Sequence, residues 1–238
     1  MAFFDFARAL PRYFGMGRVV DRLDRRKEFL IDPFRAEISG ARVLDLASHD
    51  GRWALAFAAA GAREVVGIEG RAELIAEFSA FPDSAEKANV RLIKDDLEQA
   101  VRGMADAGER FDVIGVFGIF YHITTHYRLL ADLRRLEPGL VIIDSEFLNL
   151  EAPVIALRRE DPSRDMNALA LFDGQQKVVK GVPSRLAMEM MADTLGYRLE
   201  WLDWSQLPRN RRHGVRDYFR EGEMTRASCV LRPLEPMV

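Results

Sequence analysis

Short β-branched runs alternate with helical stretches from residue 42 onward, and this rhythm leaves few folds open to the chain. Turn residues bound each of the apolar runs RVLDLA, EVVGIE, VRLIK, FDVIGVF and GLVIIDSEF. Between them lie the helical stretches WALAFAAAG, RAELIAEFSA, LEQAVRGMADA and HYRLLADLRRLEP. Strands that are each followed by a helix predict an α/β fold, in which helices cover both faces of a parallel sheet.

The segments on either side of this alternation fit the same domain. Residues 1–40 are typical of a helical leader, and residues 41–147 hold the alternating core. In residues 148–183 the strand-like runs VIALRRE and QKVVKG surround a polar centre and predict an inserted hairpin or flap. Residues 184–238 carry the amphipathic helix RLAMEMMADTLG and the strands YRLEWLDW and TRASCVLRP, which fit the antiparallel end of such a sheet. We therefore predict a single domain over residues 1–238.

Composition and charge favour a soluble cytoplasmic protein. The net charge is −3, so no global field recruits nucleic acid or an anionic membrane. No apolar run approaches the roughly 18 residues that span a bilayer, and the N-terminus lacks the apolar core of a signal peptide. Cys229 is the lone cysteine and the 4 histidines have no metal-ligand spacing, so we expect no internal disulfide and no metal site.

The turn after the first strand, in VLDLASHDGRW, is the first candidate for a ligand site, because ligands bind beyond the carboxyl ends of such strands. A dinucleotide site needs glycines at three positions of this turn, so that the backbone can approach a pyrophosphate. Here the three positions are Ala47, His49 and Gly51. The turn therefore favours a ligand without phosphate, whose ammonium and carboxylate can meet carbonyls, amides and polar side chains.

Acidic residues end the next two strands. Glu69 ends the second, where a carboxylate can accept hydrogen bonds from both hydroxyls of a ribose. Asp95 and Asp96 end the third, where one carboxylate can accept from an adenine amine. The fourth strand ends in small and apolar residues, beside the expected substrate pocket. This ordered series indicates an adenosyl ligand.

These motifs resemble those of the class I S-adenosylmethionine-dependent methyltransferases, over roughly residues 40–235. VLDLASHDGRW matches their first motif, VVGIEGR the acidic second, and IKDDLEQ the adenine-binding third. FDVIGVFGIFYHI and LRRLEPGLVIID match the fourth motif, its helix and the fifth strand. HDGRW with FGIFYHI is particularly similar to the branch that contains tRNA wobble-uridine carboxymethyltransferases and small-molecule relatives. The sequence departs from that branch by lacking its long tRNA-associated region, which weakens a tRNA substrate.

The resemblance implies a three-layer Rossmann-like fold with strand order 3-2-1-4-5-7-6 and an antiparallel final strand. It also implies S-adenosylmethionine as cofactor and S-adenosylhomocysteine (SAH) as product. The methionine moiety would lie near Asp45, Ala47, Ser48, His49, Asp50 and Gly51, the ribose near Glu69, the adenine near Asp96 and Leu97, and the sulfonium near Phe117, Gly118 and Tyr121. Trp53, Gly70, Arg71 and Asp95 complete the candidate cofactor site.

The acceptor is expected beside Tyr121 and His122, which directly follow the fourth strand. A hydroxyl acceptor benefits from a base, and histidine is the usual base near neutral pH. His122 is therefore the candidate base, although packing against the next helix would equally explain it. Asp144 and Glu146 could bind an acceptor hydroxyl or ammonium, or be ordinary strand-end carboxylates.

Other segments have a functional and a structural interpretation. Thr124 or Thr125 is expected to cap the next helix, with His126 facing outward. The arginine-rich segment 209–220 either binds an anionic substrate or, in the interpretation that we favour, is a solvated loop. Flap arginines (Arg158, Arg159 and Arg164) add weight to an anionic acceptor. The N-terminal aromatics (Phe3, Phe4, Phe6, Tyr13 and Phe14) either pack the leader or form a lid or dimer contact, which leaves monomer and homodimer open.

Together these features favour an enzyme that methylates an oxygen or nitrogen of a small metabolite, such as a sugar or natural-product intermediate. The alternative is a tRNA- or RNA-modifying methyltransferase, which should present a broader basic face. An NAD-dependent oxidoreductase is disfavoured by His49 and the missing pyrophosphate fingerprint. A cofactor-binding scaffold without turnover is the remaining class.

Overall fold

The predicted alternation of strands and helices is present in the computed structural model, which describes residues 2–234. Met1 and residues 235–238, which the predicted domain included, lie outside the described residues. The strands are β1 (Arg42–Leu46), β2 (Glu64–Glu69), β3 (Val90–Lys94), β4 (Val113–Phe117), β5 (Leu140–Leu148), β6 (Ile155–Glu160), β7 (Val178–Pro183), β8 (Tyr197–Trp201) and β9 (Met224–Pro233).

The main sheet confirms the predicted order. Within residues 2–234 it has 7 strands in the order β3-β2-β1-β4-β5-β9-β8, which is 3-2-1-4-5-7-6 once the flap strands are set aside. Strands β1 to β5 are parallel, and β9 runs antiparallel between β5 and β8. Leu46 at the end of β1 is level with Ile68 on β2 and Val116 on β4. The carboxyl ends of these strands therefore meet at one edge of the sheet.

Helices flank the sheet on both faces, as an apolar parallel sheet requires. The α-helices are α1 (Gly17–Leu30), α2 (Arg35–Ile38), α3 (Arg52–Ala59), α4 (Ala72–Glu77), α5 (Ala85–Ala88), α6 (Leu97–Asp106), α7 (His126–Arg135) and α8 (Arg185–Thr194). Short 3-10 helices occupy Phe3–Ala9, Pro11–Tyr13, Asp32–Phe34, Phe78–Ala80, Phe120–His122, Trp204–Gln206, Arg209–Arg211 and Arg216–Tyr218. The leader, α1 and α3 enclose one apolar core, and α6 to α8 enclose the other.

The leader packs into the first of these cores instead of standing apart. Phe4 is fully buried and meets Trp53 edge to face, with 5.6 Å between ring centroids. Tyr13 is also buried, whereas Phe14 is 78% exposed. The expected helix begins as 3-10 turns, which Pro11 interrupts before α1 starts at Gly17. Packing of the leader against the core therefore explains why Phe4 and Tyr13 are aromatic.

The flap is a separate two-stranded antiparallel sheet of β6 and β7, which packs beside the start of α7. At that helix start Thr125 occupies the predicted N-cap position, whereas the prediction that His126 faces outward was wrong. Thr125 precedes α7, but its hydroxyl donates to Glu98 and makes no cap hydrogen bond. His126 is buried, and its Nε2 donates to the carbonyl of Gly181 on β7 over 3.0 Å. A strand more than fifty residues away covers this turn, and the local pattern does not encode that contact.

In residues 2–234 we find no helix that is both long enough and apolar enough to cross a membrane.

Candidate functional site

A cavity of about 440 Å³ lies beyond the carboxyl ends of β1, β2, β3 and β4, a size typical of ligand pockets. Most of the predicted site residues line it: Ala47, His49, Trp53, Glu69, Gly70, Arg71, Asp95, Asp96, Leu97, Phe117, Gly118, Tyr121 and His122. Residues of the flap line it as well, on the side away from the sheet. The structure thus brings the strand-end motifs and the histidine after β4 into one space.

Four residues that were predicted to lie near the methionine moiety do not line this cavity: Asp45, Ser48, Asp50 and Gly51. Asp45 is fully buried, and neither carboxylate oxygen has a hydrogen-bond partner among the described residues. Burial raises its pKa well above the ordinary value. Ser48 is buried against Gly67, and Gly51 precedes α3 so close to Phe78 that a Cβ would come within 2.5 Å of that ring. These residues shape the loop after β1 without lining the cavity.

The loop after β1 explains why glycines are common in this motif. Ala47, His49 and Gly51 have φ values of 54°, 55° and 82°, in the left-handed region that favours glycine. A non-glycine residue pays about 1–2 kcal/mol there. Hydrogen bonds hold the loop in this conformation, among them the Ser48 amide on the Ile68 carbonyl at 2.9 Å and the His49 amide on Glu69 at 3.0 Å.

Charged groups tie the same loop to the leader. Asp50 is buried and accepts hydrogen bonds from the hydroxyl of Tyr13 and, over 2.6 Å, from Nε of Arg52. Burial alone would raise the pKa of Asp50, but the charge of Arg52 and the hydrogen bond from Tyr13 hold it well below its ordinary value. Asp50 is therefore ionised and serves the loop, and it does not line the cavity.

His49 is held in one tautomer by its neighbours. Its Nδ1 accepts from the Asp50 amide over 2.8 Å and from the Arg52 guanidinium. Burial lowers the pKa of His49, so the ring is neutral near pH 7 and Nε2 carries the proton. Nε2 is buried without a hydrogen-bond partner among residues 2–234. The cavity wall therefore contains a donor that a ligand can satisfy.

Glu69 is fixed at the end of β2 by two backbone amides. Oε2 accepts from His49 and Oε1 from Arg71, each over 3.0 Å. Each carboxylate oxygen keeps a second lone pair for a further donor. At the end of β3, Asp96 caps α6 by accepting from the Gln99 amide at 2.9 Å, and Asp95 accepts from the Asp96 amide at 2.8 Å. Backbone amides thus fix the positions of these three acids, and all three line the cavity.

Arg71 has a role that the sequence did not suggest. Its guanidinium donates to backbone carbonyls of the flap loop, at 2.9 Å to Asn167 and 3.2 Å to Arg164. Flap residues from Asp165 to Leu171 form part of the cavity wall. Arg71 thus anchors the flap over the ends of β2 and β3.

His122 lies at the other end of the cavity and is only 4% exposed. Its Nδ1 is 2.7 Å from Oε1 and 2.9 Å from Oε2 of Glu160, at the end of β6. Tyr121 packs against the imidazole with 4.0 Å between ring centroids. The sequence analysis missed Glu160, since nothing in the pattern of β6 links this acid to a histidine 38 positions earlier.

Asp144 is not available to an acceptor, contrary to one interpretation of the sequence. It is fully buried and accepts from Tyr218 at 2.8 Å, from Ser228 at 2.9 Å and from two arginines. Those arginines are Arg26, from α1, and Arg226, whose Nη2 lies 2.9 Å from Oδ2. Burial would raise the pKa of Asp144, but the charges of both arginines hold it well below its ordinary value.

Arg26 and Arg226 themselves line the cavity, and both were missed from the sequence. Arg26 belongs to the charged pattern of α1, yet it is 7% exposed and lies over the ring of Trp53. Tyr218 is neutral, since burial first and then Asp144 raise its pKa to about 12. Two guanidinium groups therefore share one carboxylate, which leaves this cluster of three side chains with an excess positive charge.

The remaining basic and acidic candidates bind within the chain. Arg211 pairs with Glu28 at 2.8 Å and Arg220 pairs with Glu146 at 2.7 Å. In the described part of the chain, residues 205–224 contribute nothing to the cavity lining. Arg211 and Arg220 therefore do not bind a ligand in this cavity, whereas Tyr218 of the same segment is buried against Asp144. Residues 2–234 also contain no group of three or more His, Cys, Asp or Glu placed to hold a metal ion.

Comparisons with known proteins agree with this geometry. A family model described as a methyltransferase domain matches residues 18–227. The comparison with curated protein sequences gives no match. Among solved structures, the N-terminal domain of EvdMO1 in the presence of SAH and D-fucose has a TM-score of 0.65 at 21% identity, over 90% of this chain and 83% of that one.

Two further structures share the fold at lower similarity. The glycopeptide N-methyltransferase MtfA has a TM-score of 0.52 at 14% identity, over 89% of this chain and 90% of that one. The magnesium protoporphyrin IX methyltransferase ChlM from Synechocystis PCC 6803, with bound SAH, has a TM-score of 0.51 at 14% identity, over 91% of this chain and 87% of that one.

Proposed function

The chain belongs to the methyltransferase-domain family, and we propose that it transfers a methyl group from S-adenosylmethionine to an oxygen or nitrogen of a small-molecule acceptor. One observation carries the proposal: the strand-end acids, residues of the left-handed loop, Tyr121 and His122 line a single cavity. When bound, the cofactor supplies a methyl group already activated on a sulfonium. The protein's task is then mainly to align the acceptor with it.

The residues present fit this cofactor. Nε2–H of His49 is a buried donor without a partner in the described chain, and the carboxylate of a methionine moiety needs such a hydrogen-bond donor. Glu69 keeps lone pairs for two ribose hydroxyls while its position is fixed by backbone amides. Asp96 and Leu97 would hold the adenine, and Phe117 with Gly118 would lie near the methionine end, as the resemblance implies. The loop after β1 offers no triple-glycine approach for a pyrophosphate, which disfavours NAD.

A small acceptor is favoured over RNA by the walls of the site. The flap closes one side of the cavity, with Arg71 bonded to its backbone. Basic residues outside the cavity, such as Arg211 and Arg220, are already paired with acids of the same chain. The similarity to EvdMO1, solved in the presence of D-fucose, and to the glycopeptide N-methyltransferase MtfA supports an acceptor of the sugar or natural-product kind. Salt-sensitive tRNA binding would reverse this preference.

The acceptor is further proposed to carry an anionic group. The excess positive charge of Arg26 and Arg226 around Asp144 is buried, and a buried charge is costly unless it is paired. Replacing Arg26 with glutamine should raise KM for an anionic acceptor while the Kd of SAH stays unchanged. A rise in the Kd of SAH instead would assign this pair to the carboxylate of the cofactor.

Mass spectrometry of the products tests the function itself. The purified protein is incubated with S-adenosylmethionine and a panel of sugars, phenols, hydroxy acids and amines. We expect SAH to form together with one methylated product, and we expect His122→Ala to lower that turnover at least about tenfold without changing SAH affinity. SAH binding without methylation of any acceptor would favour a cofactor-binding scaffold.

A further inference from the structure

The contact between His122 and Glu160 joins the cofactor-binding core to the flap. His122 closes the 3-10 helix after β4, and Glu160 ends β6. Both side chains are shielded from solvent, at 4% and 6% exposure. A buried histidine–carboxylate pair outside any metal site is a common way to fix the orientation of an imidazole.

Glu160 is held as a carboxylate by several donors. Its Oε1 accepts from the Ala168 amide at 2.9 Å, and Lys180 lies 3.3 Å from Oε2. Burial opposes ionisation of Glu160, but the bonds from His122 and Ala168 and the charge of Lys180 hold its pKa below the ordinary value. An ionised carboxylate can only accept hydrogen bonds. Nδ1 of His122 must therefore carry the proton that Glu160 accepts.

This arrangement decides which nitrogen of His122 is free. With its proton on Nδ1, a neutral imidazole exposes the lone pair of Nε2. Nε2 is buried and has no hydrogen-bond partner among the described residues, although His122 lines the cavity. Tyr121 on one face of the ring restricts its rotation. A base of this kind is useful to a hydroxyl acceptor, because an amine acceptor is already nucleophilic once it is neutral.

We propose that Glu160 is a positioning residue that holds His122 as the base for a hydroxyl acceptor, so that the protein is an O-methyltransferase; this rests on the proposed function. In the transfer, the acceptor O–H bond breaks and its proton passes to Nε2 of His122. The acceptor oxygen bonds to the methyl carbon, and the electron pair of the broken carbon–sulfur bond stays on sulfur. Glu160 stabilises the imidazolium that results. Because Glu160 belongs to the flap, the base is complete only when the flap is docked.

Nitrogen NMR of the free protein tests the tautomer without any acceptor. The protein is labelled with ¹⁵N-histidine, and His122→Asn assigns the signals. We expect the neutral form of His122 to carry its proton on Nδ1 and not on Nε2, both in the free protein and with SAH added. Glu160→Gln should lose this single tautomer, whereas Glu160→Asp should keep it in part. Observation of Nε2–H with an unprotonated Nδ1 in the wild-type protein would overturn the proposal.

Kinetics then separate positioning from support of the flap. Glu160→Gln should lower kcat for the hydroxyl acceptor at least about tenfold, with KM and the Kd of SAH within about twofold. Glu223→Gln is the matched control, because Glu223 pairs with Arg158 of the same flap strand but is 64% exposed and does not line the cavity. It should behave as wild type.

Two results contradict the inference alone. The first is an unchanged kcat in Glu160→Gln, and the second is methylation confined to amines. In either case, a protein that still binds SAH would leave the proposed function standing. A wild-type protein that binds neither S-adenosylmethionine nor SAH would instead remove the proposed function.

Discussion

Replacing Asp144 with asparagine would remove the carboxylate that Arg26 and Arg226 share in the middle of β5. Asparagine keeps one oxygen for Tyr218 and Ser228, but its amide would point N–H groups at guanidinium N–H groups. Two largely buried positive charges would then remain without the carboxylate that neutralises them. Breaking a buried ion pair in this way costs about 3–5 kcal/mol, a large part of the roughly 5–15 kcal/mol by which most proteins are stable.

Urea unfolding followed by circular dichroism would measure this cost, and a thermal scan should show a melting temperature lower by roughly 6–20 °C. Asp106→Asn is the control, since Asp106 pairs with Arg135 at 2.5 Å but is 62% exposed, where ion pairs are worth at most about 1 kcal/mol. The direction in which stability changes with pH also follows from this ion pair. The pKa of Asp144 is depressed in the folded state, so its stabilisation is present above about pH 4 and is lost as the pH falls through the folded pKa. A loss no larger than that of the control, or no change in acid sensitivity, would refute the charge assignment.

Three further predictions follow from single features. Ala47→Gly should raise the free energy of unfolding by up to about 1 kcal/mol, because relief of the left-handed φ of 54° outweighs the added freedom of the unfolded chain. Ala88→Gly in α5 should lower it by about 0.5–1 kcal/mol. Urea unfolding of both variants checks these opposite signs, and equal losses would contradict them. Arg71→Ala should increase proteolytic cleavage within residues 161–177 about tenfold, because the flap loses hydrogen bonds to its carbonyls, while the control Arg164→Ala, at 76% side-chain exposure, should not. Cys229 should react with a thiol reagent only after unfolding, because it is fully buried and burial raises the pKa of its thiol; rapid labelling of the native protein would count against its position in β9.

The sheet and one wall of the cavity could be predicted because they follow from local patterns. A β-branched run has one compatible conformation, and each following helix leaves a right-handed crossover as the connection. The ends of β1 to β4 then meet, so Glu69, Asp96 and Tyr121 could be placed near one another before the structure was known. The left-handed φ of Ala47 and His49 was not predicted, because the sequence showed only that neither position is the glycine that a dinucleotide site needs.

The other wall depends on contacts between segments that are distant in the sequence, and the periodicity of apolar residues does not predict such contacts. Arg26 lies in a charged stretch that predicts a solvated face, yet α1 buries it against Asp144 of β5. Glu160 and His126 meet the core only because the flap folds back beside α7. A sequence pattern reports which face of an element is apolar, but which distant strand covers a polar residue is set by tertiary packing.

Calorimetric titration with SAH and with NAD tests the central claim most directly, using the wild-type protein and Glu69→Gln. We expect SAH to bind the wild type and NAD not to bind. Loss of the charged acceptor at the ribose hydroxyls should weaken SAH binding at least about tenfold in Glu69→Gln. Binding of NAD without SAH, or equal SAH affinity in both proteins, would contradict a cofactor site built on the end of β2.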